Sequence, residues 1–234
     1  MQNKNLDCWE SKFQPCEYSD KLLNLISELN KKAKVPVNLL QIKKACHVAR
    51  EYHGDQKRKS GDPYYSHPLE VAYLFALYVG NVKLKYYTTD LIVIAILHDT
   101  IEDTTLTSAM IQRIFNKFIA VGVEDLTRIK DGVKITALES VDLLLSQYKE
   151  GILFIKMFDR LHNARTINFM SPKKIITILE ETIRKFIFSS LYIDAIHIEK
   201  EIIEICHAHL HKRQTTESHC ITSSQENHRL PSLV

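Results

Sequence analysis

His67, the adjacent pair His98-Asp99, and Asp159 in the run Asp159-Arg160-Leu161-His162-Asn163 supply two imidazoles and two carboxylates. That donor set suits Mn, Fe, Zn or a similar divalent ion, and four protein ligands leave an octahedral ion two positions for water and a substrate oxygen. This describes a hydrolase centre. A zinc finger clusters its ligands in sequence, whereas these four are far apart, so only a folded domain can gather them. Taken singly, each His or Asp is better read as a helix cap or a satisfied internal hydrogen bond; together they favour a metal.

Directly after His98-Asp99 comes Thr100-Ile101-Glu102-Asp103-Thr104. On a helix, Glu102 lies one turn beyond His98 and Asp103 one turn beyond Asp99, so both carboxylates face the ion. Such a pair can take a proton from an attacking water and serve the leaving group. Read structurally, it is a solvated helix end, but acidic residues at a helix C-terminus oppose the macrodipole, and a cation would compensate them. A third element, Lys57-Arg58-Lys59-Ser60-Gly61-Asp62-Pro63-Tyr64, ends three residues before His67, and Gly61 and Pro63 mark it as a loop. Alone it is a solvated basic turn. Beside a metal ligand, its three consecutive cations serve an anionic substrate, and an arginine can also stack on a base.

The elements that must position these residues read as helices almost throughout, because apolar residues recur at three and four rather than two, as in the Leu22, Leu25, Ile26, Leu29 stripe. Further helices are expected over about 38–53, 68–79, 90–102, 108–118, 121–130, 137–147, 152–165, 172–192 and 194–211. The apolar run Leu91-Ile92-Val93-Ile94-Ala95-Ile96-Leu97, capped by Asp90, makes a buried helix that carries His98-Asp99 near its end. Pro68 starts the helix of His67, with Leu69, Val71, Ala72 and Leu74 as its apolar side, and Ser171-Pro172 is the clearest helix start. Thr107 and Ser108 are candidate caps. The fold class is an all-α bundle with the metal site in its core.

The motifs carry a resemblance. His67, His98-Asp99 and Asp159 match the histidine-aspartate (HD) phosphohydrolase superfamily, and the wider strings resemble the RelA/SpoT type of guanosine 3′,5′-bis(diphosphate) hydrolases. Arg58-Lys59-Ser60-Gly61-Asp62-Pro63-Tyr64 with His67-Pro68 is similar to that family's R-K-S-G-E-P-Y-x-x-H-P. Leu97-His98-Asp99-Thr100-Ile101-Glu102-Asp103-Thr104 resembles its L-H-D-T-V-E-D-T, and Asp159 to Thr166 its D-R-L-H-N-M-R-T. The resemblance implies that His67, His98, Asp99 and Asp159 hold Mn²⁺ and that Glu102 and Asp103 activate water. It further implies that Arg58 stacks on guanine, that Lys59 and Ser60 lie along the nucleotide, and that Asn163 and Thr166 contact its sugar and base. The implied reaction removes the 3′-pyrophosphate from guanosine tetra- or pentaphosphate, giving GDP or GTP and lowering a starvation signal.

The resemblance covers roughly residues 40 to 190, the hydrolase domain, and no synthetase activity is expected. Between Asp131-Gly132-Val133, similar to the family's D-G-V, and Asp159, the connection is shorter than in larger members and lacks the basic pair of their A-E-N-x-R-K-M, which predicts fewer cations on the substrate side. That departure leaves open a hydrolase of the same superfamily acting on another phosphorylated nucleotide. A non-catalytic nucleotide-binding module is the third reading, opposed by the retention of every ligand and of the carboxylate pair.

With 234 residues, 45% hydrophobic and 25% charged, the chain suits one main domain, expected over 20–211 between an amino-terminal segment, 1–19, and a polar tail, 212–234, read as disordered. Trp9 and Phe13 are candidates for a short anchor. A net charge of +3 is too small a bias to argue for a nucleic-acid polymer as partner. Cys8, Cys16, Cys46, Cys206 and Cys220 show no metal-ligand spacing, and with no signal segment a reducing cytoplasm is expected. No apolar run approaches the roughly 20 residues that cross a bilayer, so no membrane span is expected. Of the other histidines, His53 is placed to line the substrate cleft, His162 to support the site, and His47 to pack on its helix. His207, His209 and His211 belong to a solvated helix end.

Overall fold

The computed structural model describes residues 8–130 and 133–209. Thirteen helices are seen among them: α1 Trp9–Lys12, α2 Glu17–Asn30, α3 Leu39–His53, α4 Ser66–Val79, α5 Thr89–Leu97, α6 Thr100–Asp103, α7 Ser108–Ile114, α8 Lys117–Leu126, α9 Ala137–Ser146, α10 Glu150–Arg165, α11 Pro172–Glu181, α12 Ile187–Tyr192 and α13, 196–209. A wider helical turn, Thr182–Phe186, joins α11 to α12. The expected all-α bundle is observed, with a minor addition: β1 Ile129–Lys130 pairs antiparallel with β2 Val133–Lys134. The tail at 212–234 and residues 1–7 of the amino-terminal segment lie outside the described residues.

At the centre is α5. All seven residues from Leu91 to Leu97 are buried, as expected of a helix that is apolar all round. It packs against α3, α4, α8 and α10. On α10 every residue from Ile152 to Phe158 is buried, and Phe75 of α4 meets Phe158 edge to face, with ring centroids 6.2 Å apart. Along the α2 stripe Leu22, Ile26 and Leu29 are buried and Leu25 is half-buried. Trp9 faces His47, 6.1 Å between ring centroids, and Phe13 packs on the core.

Five local expectations need correcting. The helix expected over 90–102 breaks at His98-Asp99 and restarts as α6. Asp90 does not cap α5: Thr88, in extended conformation, occupies the N-cap and its Oγ1 accepts from the Leu91 N–H, while Asp90 accepts from the Asn116 side chain. The helix expected over 108–118 ends at Ile114, because Asn116 caps a new helix by accepting from the Ile119 N–H. That helix, α8, starts earlier than expected and stops at Leu126, where Thr127 turns extended into the hairpin. Thr107 caps α7 as expected, whereas the Ser108 hydroxyl donates to Glu124. Among the described residues no helix is long and apolar enough to cross a membrane.

Phe75 is completely buried. Phe75→Ala is expected to cost about 3–5 kcal/mol through lost transfer energy and an unfilled cavity, read as a lowered midpoint in urea unfolding.

Candidate metal centre

His67 stands in the first turn of α4, Asp159 in the second half of α10, and His98 and Asp99 in the break between α5 and α6. The break matters because neighbours on a regular helix point about 100° apart. Here both side chains turn inward: Asp99 Oδ1 lies 3.1 Å from His98 Nε2, and Oδ2 lies 3.5 Å from His67 Nε2. Asp159 Oδ1 is 3.3 Å from His67 Nε2 and 3.9 Å from His98 Nε2. One donor atom from each of His67, His98 and Asp159 falls within 4.8 Å of the others, and Asp99 bridges the two imidazoles from the side.

The chemistry of this set fits a divalent cation. His98 Nδ1–H donates to the Ala95 carbonyl at 2.9 Å, which turns Nε2 toward Asp99 Oδ1 at 3.1 Å, where it holds a proton in the metal-free site and would offer its lone pair to a cation. That Nε2 is buried and, although 3.1 Å from Asp99 Oδ1, makes no hydrogen bond of good geometry. Burial lowers the proton affinity of His98, but the Asp99 and Asp159 carboxylates outweigh it and hold the imidazole up to about 9, as expected where two carboxylates ask for positive charge. Burial likewise opposes ionisation of Asp99 and Asp159, and the surrounding imidazoles, with Lys156 beside Asp159, still hold both below the usual carboxylate range.

His162 supports this centre from behind. In the tautomer that turns the His67 Nε2 lone pair toward the carboxylates, His67 Nδ1–H donates to His162 Nδ1 at 2.9 Å. Burial first, then the charges of His67 and Arg58, push His162 down to about 3, so it stays a neutral acceptor. Asn163 Nδ2 donates to Asp159 Oδ1 at 2.6 Å, and Lys156, buried under the site, donates to the Leu126 carbonyl at 3.3 Å with its ammonium 3.8 Å from Asp159.

Glu102 and Asp103 sit in opposite environments. Burial raises the proton affinity of Glu102, but Lys134 at 2.8 Å, the Arg128 backbone N–H at 3.2 Å and the Arg128 guanidinium at 3.2 Å together bring its pKa below the ordinary value. For Asp103, burial is reinforced by the Asp99 and Glu102 charges and only partly offset by the Tyr64 hydroxyl, leaving it raised. That hydroxyl donates to Asp103 Oδ2 at 2.6 Å and lies 3.4 Å from Asp99 Oδ2.

His67, Asp99, Asp159, Glu102, Asp103 and Tyr64 open on one cleft of about 490 Å³, with His98 and His162 behind them. Arg58 and Lys59 line it. Arg58 is half-buried, and its guanidinium donates to Thr166 Oγ1 at 3.3 Å. Asn163 lines it too, whereas Ser60 donates to Asp62 at 2.7 Å and, like Thr166, stands behind the lining. Fewer substrate-side cations were expected from the shortened connection, yet Arg128 and Lys134 at the hairpin, Lys156 and Arg160 of α10, and Lys174 of α11 all line the cleft. His53 corrects another expectation: it is buried, stacks behind Tyr64 at 4.8 Å and bonds Gln56, so it does not line the cleft.

Sequence reasoning did not single out Tyr64, Arg128 or Lys134. Tyr64 ends the basic loop three residues before His67 and was open to notice; nothing local marks the other two. Among the described residues His207 and Cys206 belong to no group able to hold a metal, and Cys8, Cys16, Cys46 and Cys206 are free thiols.

The profile of the HD domain family matches residues 45–191. Among curated proteins, GTP pyrophosphokinase rsh of Brucella ovis is 44% identical over 155 residues, which are 64% of this chain and 20% of that protein. Bifunctional (p)ppGpp synthase/hydrolase SpoT of Escherichia coli K12 is 31% identical over 171 residues, 70% of this chain and 23% of that protein. The matched region thus spans about a fifth of the length of these relatives. A solved structure described as a metazoan ortholog of SpoT that hydrolyzes ppGpp superposes with a TM-score of 0.57 at 18% identity, covering 72% of this chain and 95% of that one. At that identity the likeness speaks for the fold. The resemblance to RelA/SpoT hydrolase domains is borne out by these matches.

Tyr64→Phe removes the 2.6 Å bond to Asp103. The expected loss is roughly 1.5–3 kcal/mol, the range for a hydrogen bond to a charged group, measured by chemical unfolding against the unchanged protein.

Proposed function

The chain belongs to the HD domain family, and we propose that it is a metal-dependent hydrolase that converts guanosine 3′,5′-bis(diphosphate) and water to GDP and pyrophosphate. The observation that carries this reading is the convergence of His67, Asp99 and Asp159, with His98 behind them, at a cleft walled by cations. His67, His98, Asp99 and Asp159 would hold the ion, Mn²⁺ by resemblance, whose charge acidifies water and offsets that of the phosphates.

The protein's own residues do the rest. Arg58, fixed on Thr166, offers its guanidinium plane to the purine. Lys59, Arg160 and Lys174 face the phosphates from the cleft wall. Asn163 lines the cleft while its amide steadies Asp159, and we assign it, with Thr166, to the sugar and base side. Ser60 shapes the loop through Asp62 and lies along the nucleotide in this reading. Two neighbouring carboxyl groups whose environments push their proton affinities apart divide acid from base work. Glu102, the stronger acid, takes the proton of the attacking water. Asp103, held above its ordinary value with Tyr64 on one oxygen, returns a proton to the departing 3′-oxygen. The phosphorus–oxygen bond to the 3′-carbon's oxygen breaks as one to the water oxygen forms, so GDP and pyrophosphate leave. A reducing cytoplasm is the setting we propose, on the free thiols Cys8, Cys16, Cys46 and Cys206.

Incubation of the purified protein with guanosine tetraphosphate and Mn²⁺ is expected to release GDP and pyrophosphate, and a metal-free control is expected to release neither. A marked preference for a nucleoside monophosphate or deoxynucleotide would overturn the substrate assignment. Asp99→Ala is expected to abolish Mn²⁺ binding in calorimetry together with turnover. Glu102→Ala is expected to leave Mn²⁺ binding intact and reduce turnover by at least about a hundredfold, the usual scale of a lost general base; unchanged turnover in either variant contradicts the mechanism.

A further inference from the structure

Glu102 is already engaged in the free cleft. Its Oε1 accepts from Arg128 Nη2 at 3.2 Å and Lys134 Nζ at 2.8 Å, while Oε2 accepts from the Arg128 backbone N–H at 3.2 Å. A carboxylate holding two cations accepts a further proton poorly, yet the reading above gives Glu102 that task. The two cations are the movable partners, 38% exposed for Arg128 and 61% for Lys134, against 13% for Glu102. They come from the two sides of one hairpin: Ile129 pairs with Lys134, and the Ile135 N–H donates to the Arg128 carbonyl at 2.8 Å. The hairpin therefore presents a guanidinium and an ammonium together at the cleft wall. Such a pair suits phosphate, and a diphosphate brings more charge and more acceptor oxygens than a carboxylate.

We propose that Arg128 and Lys134 form a phosphate subsite that Glu102 fills in the free protein, and that a diphosphate group of the substrate takes both cations from Glu102 on binding. The inference rests on reading the cleft as a site for a phosphorylated nucleotide. Its consequence is that the base becomes available only when a phosphate is in place, so that binding and activation are one event. Arg128 and Lys134 then act in two states, as a guard on Glu102 and as a clamp on the substrate.

The probe is inorganic pyrophosphate, titrated by calorimetry in EDTA so that the metal centre takes no part. Glu102→Gln keeps the shape of the competitor and removes its charge, and is expected to bind pyrophosphate about three- to tenfold tighter than the unchanged protein. In Glu102→Gln/Arg128→Met/Lys134→Met the tightening is expected to vanish. Lys134→Met alone, with helical content unchanged, is expected to weaken pyrophosphate binding by at least about threefold. Equal or weaker binding by Glu102→Gln, or unaltered binding by Lys134→Met, overturns the proposal. If guanosine tetraphosphate is not cleaved but Glu102→Gln still tightens pyrophosphate binding, the nucleotide reading falls and the subsite stands. Cleavage without tightening does the reverse.

Discussion

Two carboxylates, Asp99 and Asp159, are held with two imidazoles at the inner end of the helical core, and the arrangement of the rest of the molecule follows from that. Charge in such a place is costly unless matched by opposite charge and hydrogen bonds. The match is built in layers: His67 and His98 within 3.1–3.9 Å of the carboxylates, Lys156 beneath Asp159, and Asn163 on its Oδ1. The buried Nε2 of His98, 3.1 Å from Asp99 Oδ1 but without a hydrogen bond of good geometry, is the atom this matching satisfies least. A divalent cation would complete it.

Rigidity comes from the apolar helices. α5 is buried on every side and α10 along seven consecutive residues, so the backbone that carries His98 and Asp159 has little freedom. Close packing transmits that order to the side chains. At the turn after Leu97, His98 and Asp99 keep right-handed backbone, and Asp99 reaches both imidazoles, 3.1 Å from His98 Nε2 and 3.5 Å from His67 Nε2. Beyond the break, chain and solvent meet, and the carboxyl groups of Glu102 and Asp103 diverge in character because one meets the hairpin's cations and the other meets Tyr64.

The same cleft shows how a shortened connection can still be rich in positive charge. Basic residues lost from one segment are supplied by Arg128 and Lys134 beside a two-residue strand pair and by Lys174 on α11. Electrostatic demand is set by position in space and not by position along the chain, so a motif comparison in which the basic pair is missing underestimates it.

Residue type and spacing by themselves determined the helical class, the buried α5, and the joint reading of His67, His98, Asp99 and Asp159, because apolar periodicity and an imidazole–carboxylate donor set are local chemical facts. Cap chemistry was only partly legible: Thr88 and Asp90 are both good caps, and which one serves depends on where Asn116 of the neighbouring helix lies. The partnership of His67 with His162, of Tyr64 with Asp103, and of Glu102 with Arg128 and Lys134 was decided by the tertiary structure alone. These pairs span 26 to 95 residues for the hydrogen bonds involving Glu102, Asp103 and His67, and no local preference encodes a contact between residues that only packing brings together.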